Sequence, residues 1–130
     1  MVTLLLLGLV TGVALLTLPP GNARLAREAE QLALRIKHAQ REAMLTNRAV
    51  ELVVAGKESR FRVRRGGRWQ ALAEGPFQSR PWPDGVRATA AGVRFDPSGA
   101  TEPASIRLSA QDRVLELTVD AQGGVRIHER

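Results

Sequence analysis

The sequence predicts an α+β protein: a long N-terminal helix, with a membrane half and an amphipathic half, packed on small antiparallel β-sheets. Three observations lead there. Residues 1–18, MVTLLLLGLVTGVALLTL, hold no charge, and the first charged residue is Arg24. From Arg24 to about Asn47 the apolar residues recur with helical period. From Ala49 onward the period changes to two, and turns rich in glycine divide the chain into short runs.

Eighteen helical residues rise about 27 Å, close to the thickness of a bilayer's hydrocarbon core. A helix satisfies its own backbone polar groups there, so residues 1–19 read as a transmembrane helix. A cleaved signal peptide ending near Gly21-Asn22-Ala23 is the first alternative, although no Lys or Arg precedes the run and the run is long for a signal core. A buried soluble helix is the second, but a helix apolar on all sides finds little to pack against in a chain of 130 residues.

Pro19-Pro20-Gly21 should end or kink this first part, and Asn22 then suits the N-cap of a second helical segment over about 22–47. Leu25, Ala29, Leu32, Ile36, Ala39 and Ala43 fall on one stripe of it, widened by Ala26, Ala33 and Met44. Arg27, Glu30, Arg35, Lys37, His38, Arg41 and Glu42 lie off the stripe. Leu34 and Leu45 sit nearly opposite it, where a single β-rich domain offers no cover. They are candidate contacts for neighbouring subunits.

A β-rich region over 49–128 follows, read as about seven short antiparallel strands. Val50, Leu52 and Val54 share a face, Gly56-Lys57 turns the chain, and Phe61 and Val63 alternate with Arg60, Arg62 and Arg64. Gly66-Gly67 turns it again into Trp69 to Leu72, completing a three-strand meander. Ala73 to Gly85 then reads as a long loop with three prolines. Its Phe77 and Trp82 either plug the end of the core or make contacts with a partner. Val86 to Ala90 and Val93 to Phe95 are short strands around Ala91-Gly92. Asp96-Pro97-Ser98-Gly99 has the residues of a type I turn. Ile106 and Leu108, then Leu115, Leu117 and Val119, alternate with polar residues, and Asp120 to Gly124 closes a last hairpin into Val125 and Ile127.

The chain has no cysteine, which excludes disulfides, thiolate metal sites and cysteine nucleophiles. His38 and His128 are its two histidines, and they do not share a metal-binding spacing. Asp84, Asp96, Asp112 and Asp120 fall at turn positions where Asp serves the backbone. No nucleophile elbow, phosphate-binding loop or dinucleotide fingerprint is present. The chain therefore reads as a non-enzyme with no catalytic residue, no metal and no cofactor.

Its charge of +6, from 19 basic against 13 acidic residues, favours anionic partners. Arg60, Arg62, Arg64, Arg87, Arg94, Arg107 and Arg126 alternate with core residues and should point outward, and residues 60–68 carry five arginines and no acid. Such a face can grip phosphates or carboxylates through forked hydrogen bonds, or it can be an ordinary solvated surface.

An apolar helix interrupted by proline, continued as an amphipathic helix and followed by a small antiparallel β domain, resembles a type IV pilin-like protein. Glu42-Ala43-Met44-Leu45-Thr46-Asn47-Arg48-Ala49-Val50-Glu51-Leu52 is similar to the helix-to-strand junction of the family formed by type II secretion system protein H and FimT-like minor pilins. Val93 to Gly99 resembles that family's turn between later strands, and Ile106-Arg107-Leu108 and Gly124 to Ile127 resemble its closing strands. The family's processing box, Gly-Phe-Thr-Leu-x-Glu, is not found. Met1-Val2-Thr3-Leu4 looks like its continuation, so the expectation is that the sequence starts a few residues late and that no position here is the cleaved or methylated one.

The resemblance implies a minor pseudopilin, a structural subunit near the tip of a type II secretion pseudopilus. Residues 1–19 would sit in the inner membrane as a single pass and residues 20–130 in the periplasm. Its implied partners are the major pseudopilin and the other tip minor pseudopilins, the inner membrane, the prepilin peptidase, and secreted substrates or the outer-membrane secretin. Leu34, Leu45, Arg60, Arg62, Arg64, Phe77 and Trp82 are the candidate partner-binding residues. The alternative is a FimT-like minor pilin of a type IV pilus, for which DNA would be a partner. A weaker third reading is an exported binding domain whose N-terminus is a signal alone.

Overall fold

The computed structural model describes residues 20–129. The expected membrane helix over residues 1–19 lies outside them. Among the described residues no helix is long and apolar enough to cross a membrane. Helix α1 (Pro20–Thr46) leads into β1 (Val50–Val54), β2 (Glu58–Arg65) and β3 (Arg68–Leu72). A single 3-10 turn (Gly75–Phe77) and the two-residue strand β4 (Arg80–Pro81) follow, then β5 (Val86–Ala88), β6 (Ala91–Phe95), β7 (Ala104–Ala110), β8 (Arg113–Val119) and β9 (Val125–Glu129).

Helix α1 already includes Pro20, Gly21 and Asn22, so Asn22 is not an N-cap. Proline's fixed φ of about −65° suits helical backbone, which is why Pro20 does not bar the helix. At the other end Asn47 takes φ 54°, and the Arg48 N–H donates to Ala43 O at 3.2 Å. That is a left-handed cap at a residue that tolerates the conformation, and it turns the chain into β1.

The stripe Leu25, Ala29, Leu32, Ile36, Ala39 and Ala43 is fully buried against β1, β6, β7 and β8. Met44 does not widen it. Its side chain lies out beside Gly99, at the turn after β6, and is 49% exposed. Facing the stripe are Val50, Leu52, Val54, Phe61, Val63, Val93 and Phe95 from one sheet and Ile106, Leu108, Leu117 and Val119 from the other. The helix thus covers both sheets with one face.

The first sheet has the order β3-β2-β1-β6, with β4 also paired to β2; the second has the order β5-β7-β8-β9. The expected meander is β1-β2-β3, closed at Arg65↔Arg68 by Gly66 and Gly67 with φ of 57° and 77°. Two glycines at positive φ give the hairpin turn whose twist matches its strands. The described residues form nine strands where about seven were expected, and two further expectations need correction. Residues 73–85 are not an unstructured loop, because β4 pairs Glu58↔Pro81 and Ser59↔Arg80 on β2. Ala91-Gly92 is not a turn between two strands either. Both residues lie in β6, where Gly92 pairs with Val53 of β1, while β5 pairs with β7 in the second sheet.

Candidate partner-binding surface

The outer flank of α1 carries the two leucines that the helical period set opposite the core. Leu34 is 49% and Leu45 76% exposed. Eleven residues at about 100° each return to within ~20° of the starting direction, so both lie on one line along the helix. Beside Leu34 a cleft of about 310 Å³ opens between α1 and residues 75–80, and Arg35, His38, Pro76 and Arg80 line it too.

Arg35 is held from three sides. Its Nη1 donates to Pro76 O at 3.3 Å, its Nη2 to Ser59 O at 3.5 Å, and its guanidinium lies 4.6 Å over the Phe61 ring. Phe77 meets the same ring edge to face, at 5.2 Å between centroids. Arg80 Nη2 donates to Glu28 Oε1 at 2.9 Å from the far wall. Burial, and then the Arg80 guanidinium, pull Arg35 below the ordinary arginine value.

The outward arginines are organised differently. Strand register sets Glu51 of β1 directly between Arg62 of β2 and Arg94 of β6. Arg62 Nη2 hydrogen-bonds Glu51 Oε1, and Arg94 Nη2 lies 3.6 Å from Oε2. Trp69 of β3 covers the group, with the Arg62 and Arg94 guanidiniums 5.6 and 5.3 Å from its ring centroid. The second sheet repeats the plan: Glu116 of β8 lies between Arg107 of β7 (3.0 Å) and His128 of β9 (3.3 Å). Each sheet therefore carries one nearly buried carboxylate at the centre of its outer face, flanked by bases from both neighbouring strands. Charge-assisted bonds of this kind lock strand register more than they advertise free charge.

Leu34 and Leu45 are exposed on one flank of the helix. Arg60 and Arg64 are exposed on the outer face of the first sheet, while Arg62 is drawn onto Glu51. Phe77 and Trp82 are not on the surface. They are 7% and 9% exposed, and the Trp82 indole N–H donates to Ala55 O at 2.8 Å. Both therefore belong to the domain's own core. The seven outward arginines do not form one track, because Arg60, Arg62, Arg64 and Arg94 belong to the first sheet and Arg87, Arg107 and Arg126 to the second.

Sequence reasoning passed over Glu28, Arg80, Glu51 and Trp69. Glu28 did leave a signal, since it falls three residues after Leu25 and four before Leu32, a charge set on the apolar stripe. Among the described residues no group of three or more His, Cys, Asp or Glu could hold a metal ion.

The family described as "Type II transport protein GspH" matches residues 28–123. The minor pseudopilin EpsH from the type 2 secretion system of Vibrio cholerae has a similar structure, with a TM-score of 0.69 at 14% identity over 82% of this chain and 97% of that one. The type IV minor pilin FimU of Pseudomonas aeruginosa is also similar, with a TM-score of 0.60 at 17% identity over 80% of this chain and 87% of that one. No curated protein sequence matches the chain. These likenesses show a pilin-like fold, and the match across most of α1 and eight of the nine strands described shows the family: the chain belongs to the GspH family of type II transport proteins.

Proposed function

We propose that the protein is a minor pseudopilin of a type II secretion system, a structural subunit near the pseudopilus tip that works by packing and recognition. Residues 1–19 anchor it in the inner membrane and residues 20–130 form its periplasmic domain. Its partners are the major pseudopilin and the other minor pseudopilins, with the prepilin peptidase acting on it beforehand. Secreted substrates or the outer-membrane secretin would meet its β domain. The match to the GspH family over residues 28–123 carries this reading. The exposed leucines Leu34 and Leu45 support it, since apolar side chains on an otherwise polar flank of the helix gain from cover by a neighbour.

The alternative, a DNA-binding FimT-like minor pilin, draws on the outward arginines. It is the weaker reading because Arg62, Arg94 and Arg107 already hold carboxylates of their own domain. That leaves fewer charges for phosphates, and each phosphate contact contributes separately to affinity.

The test substitutes Leu34→Asp and Leu45→Asp together. The melting behaviour of the protein should change by no more than about 0.5 kcal/mol per site, as for other surface positions. Incorporation into pseudopili should fall sharply. Normal incorporation of a folded double variant would remove the Leu34–Leu45 flank as an assembly surface, and absence of the unaltered protein from pseudopili would refute the reading.

A further inference from the structure

Three features converge on the cleft between α1 and residues 75–80. The first is charge. Arg35 and Arg80 both line it, and Glu28 is the one carboxylate bonded to either among the described residues. Two guanidiniums against one carboxylate leave one positive charge unmatched.

The second feature is donors already in place. Guanidinium carries five N–H donors, and Arg35 uses two of them on the backbone carbonyls of Pro76 and Ser59. The Phe61 ring, its centroid 4.6 Å from the guanidinium carbon, limits its movement on another side. Desolvating a cation and ordering its side chain are the usual costs of forming an ion pair, and for Arg35 folding has already met part of the first and much of the second. The downward shift at Arg35 has the direction expected of a half-buried cation beside another cation.

The third feature is apolar surface at the same opening, supplied by Leu34 and Pro76. The cavity, about 310 Å³, is at the small end of sites that take ligands.

We infer that this cleft receives an acidic side chain with an apolar neighbour from another polypeptide. The carboxylate lies in the fork between Arg35 and Arg80, and the apolar residue covers Leu34 and Pro76. A planar carboxylate with one negative charge matches both the guanidinium geometry and the single unmatched charge. A phosphate dianion would overshoot that charge, and it has no use for Leu34. That the polypeptide is a neighbouring subunit rests on the pseudopilus reading; the carboxylate site does not.

The experiment uses the full chain in a non-ionic detergent, with the side-chain Nε–H signals of Arg35 and Arg80 followed by NMR. The probes are acetyl-Glu-Leu-amide, acetyl-Gln-Leu-amide and inorganic phosphate. The Glu peptide should shift both arginine signals saturably, with a dissociation constant of about 1 mM or tighter. The Gln peptide and phosphate should bind at least about tenfold more weakly, the worth of one charge-assisted hydrogen bond. Leu34→Ala, a surface change that leaves the fold intact, should weaken the Glu peptide about threefold through lost apolar contact.

No saturation by the Glu peptide below about 10 mM would overturn the proposal. So would equal binding of the Gln peptide, or phosphate binding as tightly as the Glu peptide, which would make the cleft a general anion patch. A failed titration removes this site and leaves the assembly reading to the Leu34 and Leu45 experiment. Absence of the unaltered protein from pseudopili removes the neighbouring subunit as occupant and leaves the titration standing.

Discussion

Arg80 Nη2 donates a 2.9 Å hydrogen bond to Glu28 Oε1, joining the apolar stripe of α1 to the two-residue strand β4. The two partners are unequal. The Glu28 side chain is 9% exposed and its Oε2 has no hydrogen-bond partner, whereas the Arg80 side chain is 42% exposed. Removing Arg80 strands a buried carboxylate, but removing Glu28 leaves an arginine that can turn to water. Arg80→Ala should therefore cost about 2–4 kcal/mol and Glu28→Ala about 1 kcal/mol, with the double variant close to Glu28→Ala alone. Urea denaturation of the three variants measures this. Equal costs for the two single variants would contradict it.

Gln40 joins the helix to two turns at once. Its Nε2 donates to Gly99 O at 2.8 Å and to Gln122 O at 2.7 Å. Gly123 sits against it at φ 83°, where an added Cβ would lie 2.4 Å from Nε2. A side-chain amide could normally move aside, but here moving would break both hydrogen bonds. Gly123→Ala should cost about 2–3 kcal/mol, part from the left-handed backbone and part from those bonds. In a Gln40→Ala background the same change should cost only about 1 kcal/mol, the backbone part. Thermal melts of the four proteins of the cycle give the coupling, and strict additivity would disprove it.

Glu51 keeps Arg62 and Arg94 from facing each other across β1. Glu51→Gln preserves shape, yet its amide would present an N–H₂ to one of two guanidiniums. The loss should be about 1–2 kcal/mol in low salt. Both arginine side chains are 42% exposed, so salt reaches them, and near 1 M salt the screening length is about 3 Å. The variant should recover part of its stability on going from about 0.05 to about 1 M NaCl, beyond any gain by the unaltered protein. The same salt response in both would rule out arginine repulsion as the cause.

The buried stripe of α1 was legible because each of its positions obeys one period, so six residues agree on one face. The strands were legible for the same reason, with period two, and the glycines at 66 and 67 fixed a hairpin by their backbone demands alone. What stayed hidden depends on which segments meet. Alternation shows that Arg62 and Arg94 point outward; only the register of β1 against β2 and β6 sets Glu51 between them. Val86 to Ala88 and Ala91 to Phe95 alternate alike, and nothing local assigns them to different sheets. Arg80 lies 52 residues from Glu28, so the charge on the stripe had no visible partner. For Phe77 and Trp82 the sequence left core and partner contact both open, and the structure buries them beside β4, which pairs with β2.

On the proposed function, the Leu34–Leu45 flank of α1 meets neighbouring pseudopilins. The chain has no native cysteine, so a single introduced thiol is unique. Leu34→Cys, Leu45→Cys and, as a control, Asp112→Cys at the exposed turn between β7 and β8 can each carry a maleimide–diazirine photocrosslinker. In assembled pseudopili, both leucine positions should give covalent adducts with other pseudopilins and Asp112→Cys should give none. Adducts absent from both leucine positions in pseudopili that contain the protein would rule out this flank as the contact with other pseudopilins.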